Sequence, residues 1–366
     1  MTGPPPAVAA ARLALRRSIS DLATSAGGPI ASTAPPELPA PPASPRTLVL
    51  VACSGGADSL ALAATAAFVA PRLGLHAGAL VVDHGLQPGS AAVAERAAEQ
   101  CRDLGLRPVE VLRATVASGP GTGGPEASAR AARYALLHER SERLDTAALL
   151  VGHTLDDQAE TVLLGLARGS GARSLAGMRE HVGALRRPFL SLRRSETEQV
   201  CTALGLDWWD DPTNLDDSPD APLRSQVRAR VLPLLDDVLG PGVARALART
   251  AEQLRDDDDA LAALADDLVA RALVPTDEAV PAAAPADVRC ETRLTVAALL
   301  GTPAAVRRRA LRVAATGAGC PAGALTRTHV LELDRLLTAW RGQGPLHLPG
   351  GIVARRDCGT LVLRPS

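Results

Sequence analysis

The stretch Thr47–Ser59, TLVLVACSGGADS, decides the fold. Six residues from Thr47 form a short apolar run, too brief for a helix and rich in β-branched residues. Two glycines follow, and then the strongly helix-forming LALAATAAFVA. That succession reads as a buried parallel strand, a tight turn and a helix. Working outward, Gly78–Asp83 (GALVVD), Pro108–Leu112 (PVEVL) and Ala147–Val151 (AALLV) read as three further strands. Helical segments around Ala91–Leu104 and Arg130–Leu144 separate them. Strands alternating with helices at this spacing predict an open parallel α/β sheet with helices on both faces. Ligands of such sheets bind beyond the carboxyl ends of the strands. The polar clusters SGGADS, DHG and HTLDDQ all follow predicted strands, so one sheet edge gathers them.

Beyond residue 195 the pattern changes. Glu196–Leu204 is helical, WWDDPTNLDDSPDAP is an acidic loop, and Leu223–Val238 is an arginine-studded helix. Ala244–Leu273 reads as a long helix interrupted by Asp256–Asp259, a run expected to form a solvated face. A smaller terminal unit follows, with helices near 303–315 and 326–340 and the short strands LHLP, GIVARR and LVLRP. At the other end, Ala7–Ile19 reads as a short amphipathic helix carrying Arg12, Arg16 and Arg17. The stretch SAGGPIASTAPPELPAPPASP (25–45) has a linker's composition. The expected organisation is an N-terminal helix and linker (1–45), a catalytic domain (46–220), a helical linker (221–274) and a small C-terminal unit (275–366).

Composition narrows the classes of function. The 366 residues are 46% hydrophobic but only 2% aromatic, so the core is built from Ala, Leu and Val. All 39 basic residues are arginine, and with no lysine in the chain no side-chain amine can serve as a nucleophile. A net charge of −1 does not advertise a polyanion partner, so any nucleic-acid surface must come from local clustering. No apolar run reaches the roughly 18 residues of a membrane span. The cysteines at 53, 101, 201, 290, 320 and 358 include no C-x-x-C pair, which argues against a zinc site or disulfide framework. A cytoplasmic protein is expected.

Two motifs carry chemistry. In Ser54-Gly55-Gly56-Ala57-Asp58-Ser59, a strand leads through glycines into a helix, aiming backbone N–H groups and the helix dipole at one point. The glycines admit a phosphate, Ser54 and Ser59 add hydroxyls, and the lysine of a Walker loop is absent. Asp58 inside an anion cradle makes sense if Mg²⁺ bridges it to the phosphates. In His153-Thr154-Leu155-Asp156-Asp157-Gln158-Ala159-Glu160, residues 153, 157 and 160 share one helical face. An imidazole and two carboxylates together can hold a cation, bind an amine or move a proton. Arg224 and Arg228 also share a face, with Arg230 beside them; such a stripe follows an RNA backbone or is simply solvated.

SGGADS after an apolar strand resembles the pyrophosphate loop of the N-type ATP pyrophosphatases. The ordered blocks VDHGLQ (82–87), GPEASARAARYALL (124–137), GHTLDDQAETVLLGLARGSG (152–171), RRPFL (186–190), WWDDPTN (208–214) and RSQVRARVLPLL (224–235) resemble the tRNA(Ile)-lysidine synthetases. The resemblance implies a PP-loop fold of the adenine nucleotide alpha hydrolase type. It also implies an ATP-dependent ligase that adenylates C2 of the wobble cytidine in CAU-anticodon tRNA(Ile), then joins L-lysine with loss of AMP. On that reading Ser54, Gly55, Gly56, Ala57, Asp58 and Ser59 bind ATP with Mg²⁺. His153, Asp157 and Glu160 hold lysine, with His153 or a carboxylate taking its proton, and Arg130 neutralises phosphate charge. Arg224, Arg228, Arg230, Arg307 and Arg308 line the tRNA path. A homodimer is a candidate assembly.

The sequence departs from the family pattern at Gln87, where Arg is frequent, and at Ser225, where Asn is usual. Two other readings share the loop. A tRNA thiolase would need the paired cysteines this chain lacks, and a non-catalytic nucleotide-binding regulator would leave the acidic HTLDDQAE face without a purpose. Trp208 and Trp209 are read as a buried anchor or a base-stacking pair, and His84 as shaping the adenine-facing edge.

Overall fold

The computed structural model describes residues 3–25, 47–83, 85, 89–114, 125–169, 171–211, 218, 220–274 and 291–366. The expectations for the 25–45 linker, His84, Gln87 and the PTNLDD segment (212–217) therefore lie outside the described residues, apart from Ser25. The chain divides into two compact units, Met1–Glu252 and Gln253–Ser366.

In the first unit the elements run α1 (Pro6–Ser25), β1 (Leu48–Cys53), α2 (Ala57–Arg72), β2 (His76–Asp83), α3 (Ser90–Asp103), β3 (Val109–Arg113), α4 (Pro125–Arg143) and β4 (Ala148–Val151). Then come α5 (Leu155–Ala167), α6 (Ala172–Leu175), the short β5 (His181–Val182) and β6 (Leu185–Arg186), and α7 (Arg194–Leu204). The strands form one sheet in the order β3-β2-β1-β4-β6-β5, parallel except for β5 against β6. Alternation along β1 sends Val49, Val51 and Cys53 to one face and Leu48, Leu50 and Ala52 to the other. The first face packs against α1, α2, α3 and α7; the second packs against Leu137 and Leu144 of the α4 segment. Consecutive strands spread outward from β1 to β3, while β4 lies on the far side of β1. The order thus reverses between β1 and β4, and their carboxyl ends open the crevice where ligands of such sheets bind.

Helix α1 is more than the short amphipathic segment the sequence suggests. Ala11, Leu15 and Ile19 are completely buried in the main core. Its end is pinned by Arg186, which donates to both carboxylate oxygens of Asp21 at 2.6 and 2.7 Å and also to the Ser18 carbonyl.

The arginine-studded segment is not a uniform α-helix. It comprises α8 (Leu223–Gln226), a π-helical turn (Val227–Val231) and α9 (Leu232–Leu239). The Leu232 N–H reaches back five residues to the Val227 carbonyl, next to Pro233, which has no N–H to give.

Helix α10 (Val243–Ala272) is continuous, so the four aspartates do not interrupt it. Nor are they all solvated: Asp258 is buried and accepts a 2.5 Å hydrogen bond from Arg309. An acidic run is a poor helix breaker when one of its members is neutralised in this way. In the second unit, β7 (Thr292–Thr295), α11 (Val296–Leu300), α12 (Ala304–Gly317), α13 (Arg327–Thr338), β8 (Leu346–Leu348), β9 (Ile352–Asp357) and β10 (Thr360–Pro365) follow. The strands make an antiparallel sheet in the order β7-β10-β9-β8 around a separate Leu- and Ala-rich core. Among the described residues no helix is long and apolar enough to cross a membrane.

Candidate functional site

The loop between β1 and α2 is shaped from several sides. Gly55 has φ +86°, a conformation that favours glycine, and a Cβ there would lie a tight 3.3 Å from the Cβ of Ala97. Its carbonyl accepts the backbone N–H of Trp209 at 2.9 Å, which ties the WWDD segment to the loop. Trp208, half-buried, packs against the main core.

Ser59 is buried, donates to the Gly56 carbonyl at 2.9 Å and accepts the Ser54 N–H at 3.1 Å. It stitches the loop together, which corrects the expectation that its hydroxyl is free for a ligand. Ser54 is exposed, and its hydroxyl lies 3.3 Å from that of Ser59.

The second motif abuts the first through the main chain. A Cβ on Gly152 would come within 2.9 Å of the Asp58 carbonyl oxygen, so only glycine lets the end of β4 lie against the first turn of α2. Helix α5 then opens with a capping box. The Asp157 carboxylate accepts from the Thr154 N–H at 2.8 Å and the Thr154 hydroxyl at 3.0 Å, while Thr154 caps Asp157 in return. Only the other Asp157 oxygen remains for chemistry. Asp156 points the opposite way, accepting from the Arg193 side chain at 2.9 Å and from the Arg194 backbone N–H at 2.7 Å. A carboxylate at the positive end of α7 fixes where that helix begins, and with it the position of Arg194.

Arg194 and Thr197 are the site residues that sequence reasoning missed. Thr197 donates to Asp58 Oδ1 at 2.5 Å. Arg194 spans both motifs, with Nε 3.3 Å from Asp58 Oδ2 and Nη2 3.3 Å from Asp157 Oδ1. Burial raises the Asp58 carboxyl above its usual range: Arg194 and the Thr197 hydroxyl pull it down, but not enough to offset desolvation, and the neighbouring Asp157 charge adds to the rise. Burial also works against the charge on Arg194, yet Asp58, Asp157 and Glu160 together hold its proton more firmly than usual.

The arginines of the α8–α9 segment face this pocket. Arg228 Nε donates to Glu160 Oε1 at 2.7 Å and its Nη2 to Oε2 at 3.1 Å; Nη2 also lies 3.3 Å from Asp157 Oδ1. Arg224 donates to the Thr161 hydroxyl at 3.2 Å and sits 3.7 Å from Glu160. The two share a face as their spacing requires, but that face points inward. They do not form an open stripe for RNA backbone, because the buried Glu160 and Asp157 carboxylates attract them. Arg230 is exposed. In the second unit Arg307 is buried against Asp334 at 2.6 Å, and Arg308 shares that carboxylate at 2.8 Å. Arg307 is thus a core ion pair and not the exposed phosphate contact expected of it.

The structure does bring Asp157 and Glu160 together beside His153. Burial raises the Glu160 carboxyl, whereas at Asp157 burial is outweighed by Arg194 and its other partners, so that group stays below its usual range. His153 is pulled down to about 4, first by burial and then by Arg187, Arg130 and Arg224, against the opposing pull of Asp157. Its Nδ1 accepts from Arg187 Nε at 3.2 Å, so the neutral ring carries its proton on Nε2. Arg130 is exposed and lies 5.2 Å from the Tyr134 ring.

The sequence that builds this site has close relatives among known proteins. A PP-loop domain model matches residues 36–235 and a TilS substrate binding domain model matches residues 294–362. The tRNA(Ile)-lysidine synthase of Thermobifida fusca is 50% identical over 363 residues, covering 99% of each chain. The chain belongs to the tRNA(Ile)-lysidine synthase family. The Streptomyces coelicolor member is 52% identical with the same coverage, and that of Mycobacterium tuberculosis is 48% identical over 86% of this chain and 90% of its own. A solved structure of the U34-tRNA thiolase NcsA from Methanococcus maripaludis, with its [4Fe-4S] cluster, superposes with a TM-score of 0.52 at 18% identity. The match covers 68% of this chain and 79% of that one and extends to the fold alone. Within the lysidine synthase family, the PP loop and the acidic face of α5 are therefore parts of one ATP-using PP-loop enzyme.

Proposed function

We propose that this lysidine synthase family member adenylates C2 of the wobble cytidine in CAU-anticodon tRNA(Ile) and then joins L-lysine to it. In the first step the cytidine O2 attacks the α-phosphorus of ATP and pyrophosphate leaves. In the second the lysine side-chain amine attacks C2, AMP departs, and the amine's proton passes to the protein or solvent. The observation that carries this reading is the bridge of Arg194 between Asp58, at the phosphate loop, and Asp157, in the carboxylate pocket: a phosphate site and a cation site share one wall.

In this reading the loop N–H groups of Ser54–Ala57 receive the leaving pyrophosphate, and the positive end of α2 stabilises its charge. Among the described residues no group of three or more His, Cys, Asp or Glu is placed to hold an ion. Asp58, in the first turn of α2, would meet Mg²⁺ carried in on the triphosphate, where the ion would neutralise charge on the leaving group. Asp157 and Glu160 bind the lysine ammonium. Glu160, with its raised proton affinity, is the better acceptor of the amine's proton, and the neutral His153 orients through its Nε2–H. Arg130, exposed beside Tyr134, meets phosphate charge. Residues 46–220 are the catalytic domain, 275–366 contact tRNA with exposed arginines in place of Arg307, and the protein works in the cytoplasm.

The test is incubation with ATP, Mg²⁺, labelled L-lysine and a CAU-anticodon tRNA transcript. Lysine label in the RNA with AMP release is expected. Sulfur transfer, or nucleotide binding with no RNA product, overturns the proposal.

A further inference from the structure

We propose that Arg194 is a positioning residue that makes amine binding depend on nucleotide: phosphate at the loop draws its guanidinium away from Asp157, and only then does the carboxylate pocket reach full affinity for lysine. The proposal rests on the assignment of Asp157 and Glu160 to the amine.

Three features carry it. First, the acceptor an ammonium would use is already taken. Asp157 Oδ2 is committed to Thr154, and Oδ1 lies 3.3 Å from both Arg194 and Arg228. Second, the two guanidinium groups are held differently. Arg228 is anchored to Glu160 through two hydrogen bonds, the shorter 2.7 Å, whereas Arg194 makes one 3.3 Å contact to each of two carboxylates. Both carboxylates have shorter partners, Thr197 on Asp58 and Thr154 on Asp157. Arg194 is therefore the more loosely held of the two cations, and each acid keeps a shorter hydrogen bond when it moves. Third, its Asp58 contact lies in the first turn of α2, where the phosphates arrive. A guanidinium prefers a dense, planar-matched anion such as phosphate to two distant single contacts. Once it moves, Asp157 loses one of its two positive neighbours and gains affinity for an ammonium. By linkage, lysine then tightens nucleotide binding by the same factor.

The experiment is calorimetric titration of L-lysine into the full-length protein, alone and saturated with a non-hydrolysable ATP analogue and Mg²⁺. The wild type should bind lysine about 5- to 150-fold more tightly with nucleotide present, the usual span of such couplings. In Arg194→Gln, affinity without nucleotide should rise toward the saturated value and the ratio should collapse toward one. Arg194→Lys, with a single compact charge, should keep part of the ratio. A merely structural role would weaken both states together and leave the ratio intact. Equal lysine affinity in the two wild-type states, or an undiminished ratio in folded Arg194→Gln, overturns the proposal. Glu160→Gln separates the two layers: if lysine affinity ignores it in both states, the pocket assignment itself is wrong.

Discussion

Arg228 grips Glu160 through two nitrogens, at 2.7 and 3.1 Å, and the Glu160 side chain is wholly buried. Such a pair punishes the loss of either partner, because the survivor is left charged and desolvated. Glu160→Ala should destabilise the first unit by about 3–5 kcal/mol, with Glu160→Gln milder because it keeps one acceptor. Urea unfolding checks this. In the folded Gln variant the lysine KM should rise more than the ATP KM. Arg228→Ala should likewise lower stability while leaving the salt dependence of tRNA binding unchanged; the exposed Arg230→Ala should flatten that slope by about one charge.

Asp58 is tied to α7 by Thr197 and Arg194, so its removal affects both phosphate chemistry and local order. Asp58→Ala should cut adenylate formation by about 10²–10³-fold. Pyrophosphate release from labelled ATP in the presence of tRNA measures it. A variant that releases pyrophosphate at the wild-type rate would remove Asp58 from the phosphate site.

Gly152→Ala places a methyl within 2.9 Å of the Asp58 carbonyl oxygen, a backbone atom that cannot swing aside. A cost of about 1–3 kcal/mol is expected, with a raised ATP KM because the first turn of α2 must shift. Gly74→Ala, where no atom lies within 4 Å but φ is +74°, is a useful comparison: it tests strain without contact.

His153 gives a pH prediction with a definite sign. Its folded value is about 4, while an unfolded imidazole titrates near 6.5. Above about 6.5 both states are neutral. As pH falls toward 4 only the unfolded chain takes up the proton, so stability declines across that window and the contribution levels off below it. Denaturation measured from pH 7 to 4 should show this slope in the wild type and a shallower one in His153→Gln. The turnover profile should lack an imidazole inflection near 6.5.

Leu15 is completely buried although it sits in a helix whose sequence reads as a detachable amphipathic segment. Leu15→Ala should cost about 2–5 kcal/mol, visible as a lower midpoint in thermal unfolding of the first unit. An unchanged midpoint would mean that α1 is dispensable to the core.

The sheet and the phosphate loop were legible because they depend on local order: a short apolar run, glycines, a helix former. The adjacency of HTLDDQ to SGGADS was legible too, since both follow strands of one parallel sheet. What escaped was the choice of partners by long side chains. Spacing places Arg224 and Arg228 on one face, but only the fold shows that this face meets Glu160. Arg194 lies just before the Glu196–Leu204 helix expected from sequence, and nothing nearby in the chain marks it as the link between Asp58 and Asp157. The T-x-x-D pattern of Thr154 and Asp157 was available as a capping signal and takes half of a carboxylate that sequence alone offers to a ligand. Asp258 and Arg307 were misplaced for one reason: charged residues look solvated until their counter-ion from another helix is known.

The close approach of Gly152 to Asp58 has a consequence for anyone recombining such enzymes. With no side chain to act as a cushion, the two signature segments share a seam at the level of peptide planes, and neither tolerates drift in the other. A chimera that imports the nucleotide elbow from one parent and the acidic helix from another should be active only when the donor backbones already agree there, so the two are best transplanted as a unit.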